Sequence, residues 1–412
     1  MKIINRINSK FKNKGFFYWY VREWYTKIVS RFFSVFDKRS KKNIKKRILF
    51  YHIDSLSFGG TSKFLQILAK YLNKDKYEVF FMYPSFGTKK DSLYKSRLEY
   101  VQEGGVNLIP FKYEKIKSSP PCFVSGMFPN VFEIIDIYKI DLFVTAGSGH
   151  ADYPFSLIKK IPILLLNIFG QPNVQKNIKY HACISEEVAK KLEPIVSKDK
   201  IEVLPVPTEG PMEGSKKAGL RLREELNIKD SDIVFGRIGR ADDGIFDPIG
   251  IRAFQKLVKK YPNSHYLIMS PPPILEKIVK EDKIQNVHFI APSSKEEDVW
   301  SFHQAIDVMA HFRNDGESFG LNIVESILCG KPIITHKSPV WNAHLEYLDI
   351  SFSRVADTNN IKQYLIFMEE FVNLKKNNKI LDLGEQAKIV GEELFLIGNN
   401  IKKFEGMVDN IL

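Results

Sequence analysis

Beyond Arg47, short apolar runs alternate with stretches whose apolar residues recur at helical spacing. A run such as IPILLLNIF (161–169) is typical of a strand in a parallel sheet that helices cover on both faces, because such a strand has no polar side. The first half of the chain therefore predicts strands separated by helices. The predicted strands are Ile48–Ile53, Glu78–Tyr83, Asn107–Phe111, Leu142–Thr145, Ile163–Ile168, His181–Ser185 and Ile201–Val206, and the predicted helices include Ser62–Leu72 and Glu186–Leu192.

The alternation restarts after a proline-marked stretch, LPVPTEGPMEG (204–214). Two successive series of this kind predict two doubly wound, Rossmann-like α/β domains that face a cleft, over residues 47–206 and 207–391. We expect ligands at the carboxyl ends of the strands, where helix N-termini favour anions. The second series predicts strands over Ile233–Ile238, His265–Met269, Val287–Ile290, Asp307–Ala310 and Pro332–Thr335, and helices around 249–260, 296–305 and 320–329.

The sequence ahead of these domains has a different pattern. Residues 16–36 (FFYWYVREWYTKIVSRFFSVF) would give a helix one aromatic face and one basic face. Arg22, Lys27 and Arg31 interrupt the apolar residues, which disfavours a span of about 20 apolar residues across a membrane. The absence of a clean apolar region with a cleavage site disfavours a secretory signal. We therefore expect residues 1–46 to form an amphipathic segment in the membrane interface.

The excess positive charge of the chain is confined to this region. Residues 1–47 hold 15 of the 61 Lys and Arg and 2 of the 48 Asp and Glu, so they carry the whole net charge of +13 and the remainder is balanced. We expect residues 16–47 to bind an anionic membrane surface. A helix docked on the protein itself or on a partner is the alternative, and nucleic-acid binding is not expected.

The overall composition excludes some classes of protein. Hydrophobic residues make up 44% and charged residues 26% of the chain, values that are typical of a folded protein and not of a disordered or fibrous one. Three cysteines lie far apart, without metal-ligand spacing, which fits a reducing compartment.

A glycine pair follows the first predicted strand and begins a helix, in the order Gly59, Gly60, Thr61. Glycine at such a turn lets the backbone approach an acceptor or a phosphate closely. A simple tight turn is the alternative. The pattern is not GxGxxG and no acid ends the second strand, so a dinucleotide site is disfavoured.

A more specific pattern is GESFGLNIVESILCGKP (316–332), in which two glutamates lie eight positions apart around the start of a helix. A helix that begins near Phe319 leaves its first amides unpaired at the positive end of the helix dipole. Glu325 would lie about one and a half turns into the helix and could reach paired hydroxyls, as in a ribose. Glu317 could accept hydrogen bonds from sugar hydroxyls. The alternative is a capping carboxylate followed by a solvated glutamate.

A third pattern, Gly236-Arg237-Ile238-Gly239-Arg240, ends the first strand of the second domain. A guanidinium at the carboxyl end of this strand would face the ligand, and its fork suits a diphosphate. A surface arginine is the alternative.

These patterns together resemble retaining glycosyltransferases of the GT-B fold, specifically glycosyltransferase family 4. The resemblance runs from about residue 48 to the C-terminus. It is strongest in ESFGLNIVESILCGKPII, and it extends to GRADDGIFDPIGIRAF, FGGTSKFLQILAKYL and HACISEEVAKKL. By this resemblance, residues 392–412 form a terminal helix that crosses back onto the first domain.

The resemblance also implies roles for individual residues. Glu317 would hold the donor sugar, Glu325 the nucleotide ribose and Arg240 the diphosphate, with Arg237 as a neighbouring contact. His150, after the strand DLFVTAGSGH, would lie near the reacting carbon. Further donor contacts would come from one short run, Ser318, Phe319, Gly320 and Leu321.

Two departures from the family affect these expectations. The family has a lysine that touches the diphosphate about five residues after Gly-Arg, and Ile245 stands there in this chain. The family's Asn-Gly before the second domain reads Pro205-Val206-Pro207.

Asp230-Ser231-Asp232 spells the DxD of metal-dependent sugar transferases, but we interpret it as solvated turn residues. No metal and no other cofactor is expected.

The function implied is transfer of a sugar from a nucleotide diphosphate sugar to a hydroxyl of a membrane-associated glycolipid or lipid-linked saccharide, in cell-surface polysaccharide synthesis. Such an enzyme would be a peripheral protein on the cytoplasmic face of the cell membrane. One alternative is a non-catalytic protein of this fold that binds sugar nucleotide or acts as a scaffold, as the missing lysine would allow. A sugar-nucleotide epimerase is the other.

Overall fold

The computed structural model describes residues 45–52, 56, 59–84, 92–111, 114–116, 126–128, 131–147, 158–293 and 295–412. The predicted amphipathic helix over residues 16–36 and the candidate His150 lie outside these residues. Within the described ranges, no helix is long and apolar enough to cross a membrane.

The chain forms two compact units, and each has its own sheet. The first contains the described residues up to Ala182 together with Leu192–Glu202 and Ile401–Leu412. Its strands are β1 (Lys46–Tyr51), β2 (Tyr77–Pro84), β3 (Asn107–Phe111), β4 (Glu114–Ile116), β5 (Gly126–Phe128), β6 (Leu142–Gly147), β7 (Ile163–Asn167), β8 (Ile178–Cys183) and β9 (Ile201–Val203). Its first helices are α1 (Gly60–Tyr71), α2 (Ser92–Glu103) and α3 (Val131–Ile137).

Seven of these strands form one sheet in the order β3-β2-β1-β6-β7-β8-β9. The first strand lies between β2 and β6 and runs parallel to both, with Ile48 opposite Val79 and Leu142. All five residues of β7 are buried, as the continuous apolar run predicts. The order reverses direction after β3, as in a doubly wound sheet.

The second unit contains Cys183–Lys191 and Val203–Asn400. Its strands are β10 (Ile233–Ile238), β11 (Ser264–Met269), β12 (Val287–Ile290), β13 (Val308–Ala310), β14 (Gly316–Glu317), β15 (Ile333–His336), β16 (Trp341–Asn342) and β17 (Ser353–Ala356). Its helices are α4 (Glu186–Leu192), α5 (Ser215–Glu225), α6 (Ile249–Lys260), α7 (Pro273–Glu281), α8 (Glu296–Ala305), α9 (Leu321–Leu328), α10 (Ile361–Lys376) and α11 (Ile380–Phe395).

Six strands of the second unit form a sheet in the order β12-β11-β10-β13-β15-β17, and every neighbouring pair is parallel. Alternate residues of β10 enter different apolar clusters on the two faces: Ile233 and Phe235 pack on one side, Val234 on the other. A sheet covered on both faces is the Rossmann-like arrangement, so the predicted α/β class with two doubly wound domains is confirmed.

The boundaries of some elements differ from the prediction. The strand expected over His181–Ser185 is Ile178–Cys183, because Lys179 and Tyr180 are not buried and interrupt the apolar pattern at its start. The strand Ser353–Ala356 was not predicted, since its serine and arginine conceal a short edge strand.

The segment predicted as one terminal helix over residues 392–412 is divided. Helix α11 ends at Phe395, Leu396 is extended, and helix α12 (Ile397–Ile411) follows. The Thr208 amide donates to the Phe395 carbonyl at 2.8 Å, and Thr208 forms an isolated parallel bridge with Leu396. The strand-like pairing of Leu396 explains the break.

Most of α12 belongs to the first unit. Phe404 is fully buried there, with its ring centroid 6.1 Å from that of Phe50 in β1. Asp409 accepts hydrogen bonds from Lys76 and Tyr77.

We expect Phe404→Ala to destabilise the first unit by about 3–5 kcal/mol, because the substitution leaves a cavity beside Phe50. Lys402→Ala on the exposed side of the same helix should change the stability by less than about 0.5 kcal/mol. Urea unfolding followed by circular dichroism measures both. Equal, small changes would contradict the docking of α12 in this core.

Candidate functional site

The candidate site of the second unit is built on the loop that carries Glu317. The two residues of β14 pair with β16, with Gly316 opposite Trp341. Gly316 has φ +65°, and a Cβ there would lie 1.8 Å from the Trp341 carbonyl oxygen. Glycine is therefore required at this position, and the tight pairing fixes the backbone on which the next residue, Glu317, is placed.

Helix α9 begins directly after this loop. Its N-cap is Gly320, with φ +87°, so the first helical residue is Leu321 and not Phe319 as predicted. The Tyr347 hydroxyl donates to the carbonyls of Phe319 and Gly320, at 2.5 and 3.2 Å. Among the described residues, nothing accepts a hydrogen bond from the amides of Gly320 and Leu321. These amides form the positive end of the helix dipole.

The Glu317 side chain lies among basic and aromatic neighbours and is 14% exposed. Its Oε1 is 3.5 Å from His311 Nε2, and its Oε2 is 3.4 Å from an Arg313 terminal nitrogen. Burial raises the pKa of Glu317, while the positive charges of Arg313, Arg237 and Arg240 oppose that shift. The carboxylate is thus available to hydroxyl donors only as long as nearby cations compensate for its burial.

Glu325 lies in the second turn of α9, and its side chain is 7% exposed. Its Oε2 is 3.4 Å from His303 Nε2, and the other ring nitrogen of His303 is 2.8 Å from Ser326 Oγ. The alternative of a solvated helix glutamate is therefore wrong. His303 is buried and lies beside this acid.

The two arginines at the end of β10 have different environments. Arg240 is exposed and has no hydrogen bond or ion pair with any described residue. Arg237 is 1% exposed, and its Nε and one terminal nitrogen have no hydrogen-bond partner in the described part of the chain. Burial lowers the pKa of Arg237 to about 10. This burial does not fit the direct contact with a diphosphate that was expected for Arg237. The positive charge of Arg237 instead acts on Glu317, whose pKa it lowers.

The loop after β10 contains the position where a lysine was expected. Ile245 ends a short 3-10 turn, and its carbonyl accepts from the Asn314 amide at 3.2 Å. Two acids near Ile245 accept hydrogen bonds from backbone amides. Asp242 accepts from the Gly244 amide at 2.9 Å, and Asp247 accepts from the Ile249 amide at 2.8 Å. The loop is thus joined to the Glu317 loop through Asn314.

The DxD sequence is not simply a solvated turn. Asp230 and Ser231 are exposed, but Asp232 is buried. It accepts from the Lys229 amide at 3.0 Å and lies 3.5 Å from His265 Nε2. The interpretation therefore needs correction at Asp232, whose carboxylate closes the turn before β10.

The glycine turn belongs to the first unit and is described only in part. Gly59 is the N-cap of α1, and its carbonyl accepts from the amides of Ser62 and Lys63. Gly60 and Thr61 form the first turn of that helix. Gly59 has φ −71°, so a left-handed backbone does not account for glycine at this position.

Helix α4 also supports the Glu317 loop. Ser185 Oγ donates to the carbonyl of Ser318 at 3.0 Å. The amides of Glu186 and Glu187 donate to the Glu346 carboxylate at 2.9 and 2.6 Å, which caps α4. The Ser318 carbonyl is thereby held by the residue that precedes α4.

Sequence reasoning missed three residues of this site: His311, Arg313 and Asn322. The Asn322 amide nitrogen donates to the Ile238 carbonyl at 2.8 Å and lies 3.5 Å from His311 Nδ1, so it joins the start of α9 to the end of β10. One signal was available, because His311 directly follows β13 and residues at the carboxyl ends of strands form ligand sites.

The site lies where the strand order of the second sheet reverses, between β10 and β13. A helix N-terminus, the buried Glu325, the largely buried Glu317 and an exposed arginine at such a switch point define a Rossmann-like ligand-binding domain.

Comparisons with known proteins show which Rossmann-like proteins this chain resembles. Residues 221–346 match the family model "Glycosyl transferases group 1". The alpha-monoglucosyldiacylglycerol synthase of Acholeplasma laidlawii is 27% identical over 130 residues, which are 30% of this chain and 32% of that protein. The matched part thus spans about a third of that relative.

Two solved structures are similar over most of the chain. Anabaena Alr3699/HepE in complex with UDP and glucose has a TM-score of 0.66 and 16% identity, covering 89% of this chain and 100% of that one. WaaG, a glycosyltransferase involved in lipopolysaccharide biosynthesis, has a TM-score of 0.58 and 14% identity, covering 89% and 99%. The fold is therefore that of GT-B glycosyltransferases, and residues 221–346 are similar to the glycosyl transferases group 1 family.

Two buried histidines near Glu317 predict that the folded protein loses stability in acid. Burial lowers the pKa of His311 well below its usual value and that of His344 to about 4. Both rings therefore take up a proton at lower pH in the folded chain than in the unfolded chain, where histidine titrates near 6.5, so stability is lost as pH falls from about 6.5 toward 4.

We expect His344→Gln to lose stability less steeply than the wild type over that window, by about 1.4 kcal/mol per pH unit. Thr335→Val is the control, because it removes the contact of Thr335 Oγ1 with His344 Nε2 and leaves the titrating ring in place. Unfolding free energies measured from pH 7.5 to 4.5 should give the wild-type slope for Thr335→Val. A wild-type slope for His344→Gln would contradict the assignment.

Proposed function

We propose that this chain is a retaining glycosyltransferase that moves a sugar from a nucleotide diphosphate sugar to a hydroxyl of a membrane-associated glycolipid or lipid-linked saccharide. The observation that carries the proposal is the largely buried Glu317 just before the start of α9, where the amides of Gly320 and Leu321 have no acceptor among the described residues. A carboxylate suits sugar hydroxyls and the helix N-terminus suits phosphate, so one short segment provides for both parts of the donor.

Each group has a role in this proposal. Arg240 is exposed and has no described partner, so its guanidinium is free to bind the diphosphate. The amides of Gly320 and Leu321 add to that contact, and Glu317 accepts from the sugar. Glu325 would hold the ribose, because its burial in the second turn of α9 places an ordered carboxylate near the phosphate end of the site.

In the reaction, the bond between the anomeric carbon and the diphosphate oxygen breaks, the acceptor oxygen forms the new bond, and its proton passes to the leaving diphosphate oxygen. Positive charge develops on the sugar ring and negative charge on the leaving diphosphate. Preorganised donors aimed at the leaving group stabilise that separation, which is commonly the main source of rate acceleration in such catalysis. We propose that Arg240 and the α9 dipole supply it without a metal, and that the acceptor attacks the face from which the diphosphate departs.

The lipid-linked acceptor rests on two observations. The basic, aromatic sequence at residues 16–47 is suited to an anionic membrane surface. The partial relative from Acholeplasma laidlawii is named for a glycolipid product. We therefore propose a peripheral enzyme on the cytoplasmic face of the membrane that acts in cell-surface polysaccharide synthesis.

A non-catalytic sugar-nucleotide-binding protein is the second candidate. Ile245 supplies no charge where the family has its lysine, and the nearby Asp242 and Asp243 are exposed. Such a protein would bind donor without transferring sugar, so binding and turnover must be measured separately.

We expect Arg240→Ala to weaken nucleoside diphosphate binding about tenfold or more, because a charged hydrogen bond is lost. We expect Glu317→Ala to weaken binding of the sugar nucleotide but not of the diphosphate, and to lower transfer about 10²–10³-fold. Thermal shift with UDP-glucose, UDP-galactose, UDP-N-acetylglucosamine and GDP-mannose identifies the donor. Transfer from that donor is then measured with membrane lipid extracts as acceptor.

Arg221→Ala, an exposed arginine on α5, is the control and should behave as wild type. Unchanged transfer by both site variants would contradict the assignment of the site. Donor binding by the wild type without any transfer would favour the non-catalytic candidate.

For the membrane, we expect the full chain to float with vesicles of phosphatidylglycerol and not with phosphatidylcholine. Replacing Lys38, Arg39, Lys41 and Lys42 with glutamine should weaken this binding strongly, since each basic residue near the surface contributes about 1 kcal/mol. Glutamine at Lys198, Lys216, Lys217 and Lys256, four exposed lysines of the body, is the matched control. Equal losses in the two variants would contradict a role for the N-terminal segment.

A further inference from the structure

The Glu317 carboxylate forms an ion pair with Arg313. An Arg313 terminal nitrogen lies 3.4 Å from Glu317 Oε2, and within the described ranges no other Lys or Arg is in ion-pairing distance of Glu317. Both side chains are largely buried, at 18% and 14% exposure. Their attraction is therefore screened less than that of a surface pair.

Arg313 is itself held in place. Asp315 accepts hydrogen bonds from its Nε and from its second terminal nitrogen, the latter at 2.8 Å. This bidentate pairing leaves the remaining terminal nitrogen to face Glu317. The Arg313 amide also donates to His336 Nε2 at 3.2 Å. The direction of the guanidinium is thus set independently of Glu317.

A tight turn brings the three charges together. The Gly316 amide donates to the Arg313 carbonyl at 3.2 Å, and Ser338 Oγ donates to the Asn314 carbonyl at 3.0 Å. Because β16 pairs with the end of this turn, the spacing between Arg313 and Glu317 is fixed by backbone contacts rather than by their own attraction.

On the basis of the proposed function, we propose that Arg313 is a positioning residue for the donor sugar. It holds Glu317 Oε2, so that a sugar hydroxyl binds at Oε1, which also lies 3.5 Å from His311 Nε2, and Asp315 sets how far the guanidinium reaches. Arg313 does not itself touch the sugar in this account; it acts through Glu317.

The sign of each charge makes the inference testable. Burial raises the pKa of Glu317, the Arg313 charge lowers it and the Asp315 charge raises it. The Arg313 pKa is raised because contact with Asp315 and Glu317 outweighs its own burial. The charged and titratable groups that face Glu317 are Arg313 and Asp315 in its loop, His311 after β13, Arg237 and Arg240 at the end of β10, and His344 and Tyr347 in the 3-10 segment Ala343–Tyr347.

The test compares full-length wild type with Arg313→Met, Arg313→Lys and Asp315→Asn. Calorimetry from pH 5 to 8 measures the affinity for the best donor among the four sugar nucleotides named above and for the matching UDP or GDP. Arg354→Met is the matched control, because Arg354 pairs with Glu370 through the same two kinds of nitrogen elsewhere in the second unit.

At pH 7 we expect Arg313→Met to bind the sugar nucleotide about tenfold more weakly, with affinity for the diphosphate within about twofold of wild type. The acidic decline of sugar-nucleotide affinity should move up by about one pH unit in Arg313→Met and down in Asp315→Asn. Arg313→Lys should fall between wild type and Arg313→Met. Arg354→Met should match the wild type.

A pH profile in Arg313→Met and Arg313→Lys that superimposes on the wild type, or equal losses for diphosphate and sugar nucleotide, would overturn the inference and leave Arg313 a structural residue. If Arg313→Met does not fold, the opposite shift expected of Asp315→Asn and the intermediate profile of Arg313→Lys still decide it. A wild type that binds no sugar nucleotide more tightly than its diphosphate would instead contradict the proposed function.

Discussion

The cost of burying the Glu317 carboxylate is the constraint on which the candidate site depends. A carboxylate that is 14% exposed becomes neutral unless cations or donors compensate it, and a neutral acid is a poorer acceptor for hydroxyls. The surrounding sequence provides the compensation at short range through Arg313 and at longer range through Arg237 and Arg240. The buried guanidinium of Arg237 has two nitrogens without a hydrogen-bond partner among the described residues, and its clearest explanation is a charge retained for the site and not for the core.

The backbone around Glu317 is built to hold that arrangement. Gly316 fits only without a Cβ, Tyr347 binds the carbonyls just before α9, and Asn322 joins α9 to the end of β10. Each contact is local to the second unit. Rigid support of this kind favours a site that is preorganised for its ligand, since little ordering remains to be done when the ligand binds.

The sequence predicted the sheets well because the second sheet and strands β1, β2, β3, β6 and β7 of the first are parallel, and such strands appear as apolar runs. It failed where structure depends on polar or single residues. The break at Leu396 lies in an unbroken apolar pattern and comes from pairing with Thr208, a partner distant in sequence. Motif and position single out Glu317, Glu325 and Arg240 as candidates, and their roles stay predictions. The burial of Arg237 could have been predicted, because it lies two residues after the buried Phe235 in β10 and therefore on the same face of the strand. The contact of Glu325 with His303, in contrast, joins two helices and has no local signal in the sequence.

The central claim is that one loop and one helix start of the second unit bind the two halves of a sugar nucleotide. A crystal structure with the nucleotide sugar that most raises the melting temperature tests it most directly. The account predicts phosphate oxygens within hydrogen-bond distance of the Gly320 and Leu321 amides and a sugar hydroxyl on Glu317 Oε1. A donor bound elsewhere, with Glu317 contacting only Arg313 and His311, would contradict it.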